Sequence, residues 1–196
     1  MDELKVIRNA IMSDHGNDWA SGQGWDPIYS AHKSAKIVII GQAPGRLAQA
    51  SGIPWDDPSG RNLRNWMGVS EKMFYDSENI ALIPMDFYFP GSGERGDIAP
   101  RKEFAKKWHG LILSQLNQVK LTLLIGSYAQ NYYLANTRKK SLTDTVRDYR
   151  AYLPQFFPLV HPSPRNNIWH KKNPWFKDEL LIALQKHVFE ILQQQE

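Results

Sequence analysis

A chain of 196 residues, 42% hydrophobic and 22% charged, is the size of one ordinary domain with a substantial core, and it holds no apolar run near the roughly 18 residues needed to span a bilayer. It contains no cysteine, which excludes disulfides, thiolate zinc sites and cysteine-ligated iron–sulfur clusters. A formal net charge of +4 permits a polyanionic partner without requiring one.

The opening residues, Met1-Asp2-Glu3-Leu4-Lys5-Val6, lack a basic stretch followed by an apolar one, so no secretory signal is visible and a cytoplasmic location is expected. Asp2 to Met12 can form a short helix. Ser13 to Ser34 is polar, with glycine and tryptophan, and reads as the rest of an irregular N-terminal extension over residues 1–34, packed on a single domain. Lys36 to Ile40 is a continuous run rich in β-branched residues ending at Gly41, the pattern of a strand buried on both faces. Asp57-Pro58-Ser59-Gly60 then introduces a helix around Arg61 to Met67, before a second strand over Ile80 to Ile83.

A Gly- and Pro-rich loop follows from Phe89 to Pro100. The spacing of Phe104, Trp108, Leu111, Ile112 and Leu116 predicts one apolar face on a helix from about Arg101 to Val119. Leu121 to Ile125 is a third strand, with a helix beginning near Ser127. A short fourth strand, Phe157 to Val160, delivers His161, and a last amphipathic helix runs from about Phe176 to Leu192. Strands alternating with helices imply an α/β fold with a parallel sheet covered on both faces.

Two Pro-locked loops stand at strand ends, where open α/β sheets bind ligands. Gly41-Gln42-Ala43-Pro44-Gly45 lacks the spacing of a Walker loop or a dinucleotide fingerprint, and alone it is a tight strand-to-helix turn. Its sequel, Gly52 to Gly60, adds Trp55, Asp56 and Asp57. Trp55 is either a platform that stacks on a base or ordinary packing. His161-Pro162-Ser163-Pro164-Arg165 fixes a histidine in one orientation, suited to donating a hydrogen bond to a developing oxyanion.

The stretch beyond it, Asn166 to Phe176, mixes basic and aromatic side chains in a way that suits a nucleic-acid groove. From Arg138 to Lys172 there are eight Lys or Arg against two acids, Asp144 and Asp148, a solvated basic face or a phosphate-binding one. Ser127, in Gly126-Ser127-Tyr128-Ala129-Gln130, is a helix cap or a phosphate contact.

The Gly-Gln-Ala-Pro-Gly turn, the Gly-Ser-Tyr-Ala-Gln junction and His-Pro-Ser-Pro occur in an order that resembles the uracil-DNA glycosylase superfamily, over roughly residues 35 to 192. The resemblance implies a three-layer α/β/α sandwich on a four-stranded parallel sheet. It implies hydrolysis of the N-glycosidic bond to a flipped uracil in DNA, with no metal or cofactor; no membrane partner and a monomer are expected besides.

On that resemblance His161 hydrogen-bonds the base oxygen as charge builds there, Trp55 stacks on the base, and Gly41, Gln42 and Ala43 line its pocket. Ser127 and Ser163 contact DNA phosphates, supported by Lys171 and Lys172. Arg165 falls where the family-1 enzymes carry a leucine wedge.

The chain departs from the family at its acids. Ala43 stands where family-1 enzymes have Asp and mismatch-directed relatives Asn, and Gln42 where the iron–sulfur type has Glu. The expected carboxylate is Asp57, which resembles the Asp of family-5 enzymes, with Asp56 second. Pro84-Met85-Asp86-Phe87-Tyr88 replaces an Asn that reads the base edge, so Asp86 is either a base contact, the missing carboxylate, or a local cap. Three activities stay open: a glycosylase for uracil or another deaminated base, a catalytically silent nucleic-acid or nucleobase-binding module, and a hydrolase of free nucleosides.

Overall fold

The computed structural model describes residues 2–94 and 96–193. Its centre is a four-stranded parallel sheet of β1 (Ile37–Ile40), β2 (Ile80–Leu82), β5 (Leu121–Ile125) and β6 (Phe156–Leu159), in the order β2-β1-β5-β6. A two-stranded antiparallel hairpin, β3 (Ser92–Gly93) with β4 (Gly96–Asp97), stands apart from it. Every residue of β1 and β5 is buried, because each of these two central strands has a strand on either side and helices above and below. Pro158, which has no N–H to donate, is confined to the edge strand β6.

Alternation along β1 divides the core. Val38 and Ile40 face a cluster with Ile7 and Ile11 of α1 (Glu3–Met12), Ala20 of α2 (Asp18–Ser21), Phe104, Trp108 and Ile112 of α6 (Phe104–Leu113), and Ala129 of α7 (Gly126–Tyr133). Ile37 and Ile39 face Leu63 and Met67 of α4 (Pro58–Met67), Phe74 of α5 (Glu71–Asp76), Val146 of α8 (Leu142–Arg147), and Leu184 and Val188 of α10 (Leu181–Gln193). This makes the expected α/β/α sandwich. Each fully buried Ile or Leu stabilises it by about 1.5–3 kcal/mol relative to exposure, before the entropy of ordering the chain is subtracted.

The N-terminal extension is more regular than its composition suggests. A 3₁₀ turn over His15–Asn17 and α2 follow α1, and Ser30 bridges Leu82. The sixth helix is shorter than expected. It starts only at Phe104, since Arg101 is drawn to a buried carboxylate, and it ends when Gln115 and Leu116 donate to carbonyls three residues back. Leu111 is half exposed and does not share the buried face. The last helix opens with a π turn at Phe176–Leu180, and α3 (Arg46–Ser51), α5, α8 and α9 (Asn167–Lys172) form in segments for which the sequence predicts no element.

Candidate active site

The chain crosses from β1 to β2 on one side and returns past β1 to reach β5 on the other, so the winding of the sheet reverses between β1 and β5. The helical connections diverge there and leave a crevice beyond the carboxyl ends of the strands. A cleft of about 560 Å³ occupies that place, lined among others by Gly41 to Gly45, Trp55, Asp57, Asp97, His161, Ser163 and Arg165.

One wall is set by α4. Pro58 at its first position and Asp57 as N-cap start the helix, with Asp57 Oδ1 accepting from the Gly60 N–H at 2.7 Å. That bond uses one oxygen of the carboxylate and fixes the other, Oδ2, near Gly45, where a β-carbon would stand 3.8 Å from it. Just before, Trp55 adopts a left-handed backbone, φ 60°, which is costly for an aromatic residue. Two glycines accommodate it. A β-carbon on Gly60 would overlap the Trp55 carbonyl, and one on Gly41 would come within 2.7 Å of the indole Cζ2. The indole is thereby wedged over the end of β1, its ring centre 5.9 Å from that of His161 at an interplanar angle of 31°.

The facing wall is the loop after β6. Gln130 of α7 donates to the carbonyls of Leu124 and Leu159 at 3.1 and 2.8 Å, clamping the ends of β5 and β6 together just before His161. Asn166 Nδ2 holds the His161 carbonyl at 2.7 Å and Asn62 Nδ2 the Pro162 carbonyl at 2.9 Å. Gly126, at φ +79°, turns the chain into α7 where a β-carbon would stand 4.0 Å from His161 Cβ. Burial holds the His161 imidazole below the ordinary histidine range, against the pull of the Asp57 and Asp97 charges. A ring neutral near pH 7 carries one N–H and one acceptor nitrogen, and the N–H is the group an oxyanion needs.

The expected residues divide into those in the cleft and those outside it. His161, Asp57, Trp55, Gly41, Gln42, Ala43, Ser163 and Arg165 all line it. The Gln42 side chain, however, donates to the Ile98 carbonyl at 3.3 Å and so braces the loop after β4. Ser163 Oγ accepts from the Arg165 N–H at 3.2 Å, which leaves its hydroxyl proton to donate elsewhere. Ser127 follows Gly126 in the first turn of α7 without lining the cleft. Lys171 and Lys172 are exposed on the last turn of α9, also away from it. Asp56 is exposed and does not line the cleft either.

Asp86 requires correction. Its carboxylate is 1% exposed and receives four hydrogen bonds, from Arg101 Nε and Nη2 at 2.7 Å each and from the backbone N–H groups of Arg101 and Tyr88 at 3.2 Å. All its acceptor capacity is committed, so it serves neither as a base contact nor as the reacting carboxylate. What sequence reasoning passed over is Asp97. It lies within the Gly- and Pro-rich loop, yet it lines the cleft, with Oδ2 3.7 Å from a β-carbon position on Gly45. Only the glycines at 91 and 96, both at positive φ, hint that this loop folds back on itself. Among the described residues no group of three or more His, Cys, Asp or Glu side chains is placed to hold a metal ion.

A histidine held below its ordinary pKa range, a fixed carboxylate and an aromatic ring line one cleft beyond the strand ends of a β2-β1-β5-β6 sheet. A sequence model described as the uracil DNA glycosylase superfamily matches residues 27–185, which include every one of these elements. The chain belongs to the uracil DNA glycosylase superfamily.

Proposed function

We propose that the protein is a monofunctional DNA glycosylase that excises uracil or a similarly deaminated base from DNA. Membership of the superfamily implies a DNA glycosylase in general terms. The observation that carries the finer reading is the convergence of His161 and Asp57 on one cleft. Cleavage of a C1′–N bond leaves positive charge on the sugar and negative charge on the departing base, so a catalyst needs an anion stabiliser and a carboxylate on opposite sides of that bond.

In this reading the base enters the cleft alongside Gln42 and Ala43 and stacks on the Trp55 indole, whose inner edge rests against Gly41. His161 donates its N–H to the base oxygen as the bond breaks. Asp57, its orientation fixed by the Gly60 N–H, stabilises the cationic sugar. Ser163 and Arg165 at the rim meet the DNA backbone next to the flipped nucleotide. Ser127, Lys171 and Lys172 add phosphate contacts further along, by release of counterions from DNA.

The test is excision by the purified protein from oligonucleotides carrying uracil, hypoxanthine or xanthine, single- and double-stranded. Release of one of these bases at enzyme in excess is expected, and no release from any of them overturns the reading. One observation favours a second reading, a non-enzymatic nucleobase-binding module: Ala43 leaves the first loop without the acid that family-1 relatives carry. That module predicts DNA binding that Asp57→Asn and His161→Ala leave intact, with no excision by the unaltered chain.

A further inference from the structure

Asp57 is not the sole carboxylate in the cleft. Asp97 also lines it, carried by β4, and three contacts hold its loop. Ser92 and Asp97 are antiparallel partners in the hairpin, the Ile98 N–H donates to the Gly91 carbonyl at 2.9 Å, and the Ile98 carbonyl accepts from Gln42 Nε2 at 3.3 Å. Gly91 at φ +103° and Gly96 at φ +135° make the bends that return the chain to the cleft. The result is that Oδ2 of Asp97 and Oδ2 of Asp57 lie 3.7 and 3.8 Å from the same point above Gly45. They can be no further apart than the sum of those distances. Paired carboxyl groups of glycosidases that attack with water stand about 6.5–9.5 Å apart, and this pair lies inside the upper limit of that range.

The two are not equivalent. Asp57 is half-buried, with one oxygen bound to the Gly60 N–H, and is fixed like a wall of the site. Asp97 is exposed, so a proton it takes up can pass on to bulk water. Asp57, Asp97 and His161 all line the same cleft.

We infer that Asp97 is the general base of the reaction and Asp57 the stabiliser of the sugar cation; this assignment rests on the glycosylase reading above. Water, held between the two carboxylates, gives a proton to Asp97 as its oxygen forms the bond to C1′. The electron pair of the C1′–N bond leaves with the base, whose anion His161 holds by hydrogen bond. The base then takes a proton from solvent, and Asp97 returns its own to solvent.

Single-turnover excision and DNA binding by fluorescence anisotropy, on the substrate the unaltered protein cleaves, test it. Asp97→Asn is expected to slow excision about 100-fold or more while DNA affinity stays within about threefold. Asp97→Ala is expected to regain at least tenfold in rate when formate supplies a small carboxylate, and Glu94→Gln on the same hairpin to behave as the parent. The assignment is overturned if Asp97→Asn and Asp97→Ala excise within about twofold of the parent while Asp57→Asn is slow. It is equally overturned if their rates fall only in step with DNA affinity and formate restores nothing. An unaltered protein that excises no base sinks the glycosylase reading itself, and this assignment with it.

Discussion

Asp57 and Asp86 each follow a strand of the parallel sheet, β1 and the edge strand β2, and they have come to opposite uses. Asp86 is surrounded by donors, with the Arg101 fork closing on it bidentately, and its loop is further pinned through the Asp86 N–H to the Gln42 carbonyl at 3.2 Å. Asp57 has one donor on one oxygen and open cleft beside the other. A carboxylate with every lone pair occupied rigidifies a structure, whereas one with an oxygen left over, held by a single strong bond, is placed to act on a substrate. The partners of the acid, more than its nearness to a strand end, separate scaffold from site.

The contrast breaks most sharply on substitution. Asp57→Asn keeps a good N-cap and is expected to leave stability within about 0.5 kcal/mol, while single-turnover excision falls about 10²–10⁴-fold. Asp86→Asn is expected to do the reverse: the midpoint of urea unfolding drops by about 2–4 kcal/mol equivalent, while the molecules still folded excise at nearly the parent rate. The loss is set somewhat below the ~3–5 kcal/mol of a fully buried pair because the Arg101 side chain is 32% exposed. Equal damage to rate and stability from both changes would erase the distinction.

A smaller effect sharpens the description of the Asp57 side. Gly60→Ala places a methyl group against the Trp55 carbonyl and is expected to cost about 1–3 kcal/mol, with excision lowered as the indole shifts, measured by unfolding and by tryptophan fluorescence. The smallest effect belongs to the Asp86 side, where His109 is buried between the Pro84 carbonyl and the Tyr133 hydroxyl. Burial lowers its pKa to about 4 from 6.5. The folded state therefore prefers the neutral ring, and its stability falls as pH drops from 6.5 toward 4, by roughly 1 kcal/mol at about pH 5.5. His161 and His170 shift in the same direction, so the check is the difference in this slope between the parent and His109→Gln.

The sheet was legible because fully buried parallel strands leave unbroken apolar runs, as Lys36 to Ile40 and Leu121 to Ile125 do. His161 was legible because prolines on a strand end restrict the backbone whatever packs around it. The Asp-Pro-Ser-Gly start of α4 was legible from a local rule of helix capping, whereas Asp57 as a candidate carboxylate rested on the resemblance to family-5 enzymes. Asp86 and Asp97 could not be told apart this way. The first is paired with Arg101, fifteen residues later, and the second reaches the cleft on a hairpin whose exit at Ile98 is braced by Gln42, more than fifty residues earlier. Neither contact leaves a periodic trace. The Leu111 expectation failed for a related reason, since a helical face is buried only where another element covers it.

The Arg101 fork also bears on where the folding unit begins. Besides Asp86, its Nη1 donates to the Gly16 carbonyl at 3.0 Å and to Asn17 Oδ1 at 2.8 Å, and the guanidinium lies 5.5 Å over the ring of Trp19. The family match starts only at residue 27. A chain trimmed to that boundary would keep the whole cleft yet strip the arginine of three partners, weakening its hold on Asp86. The span of the family match and the cooperative unit therefore differ by α1 and α2, and shortening from the amino end should lower stability before any residue of the cleft is removed.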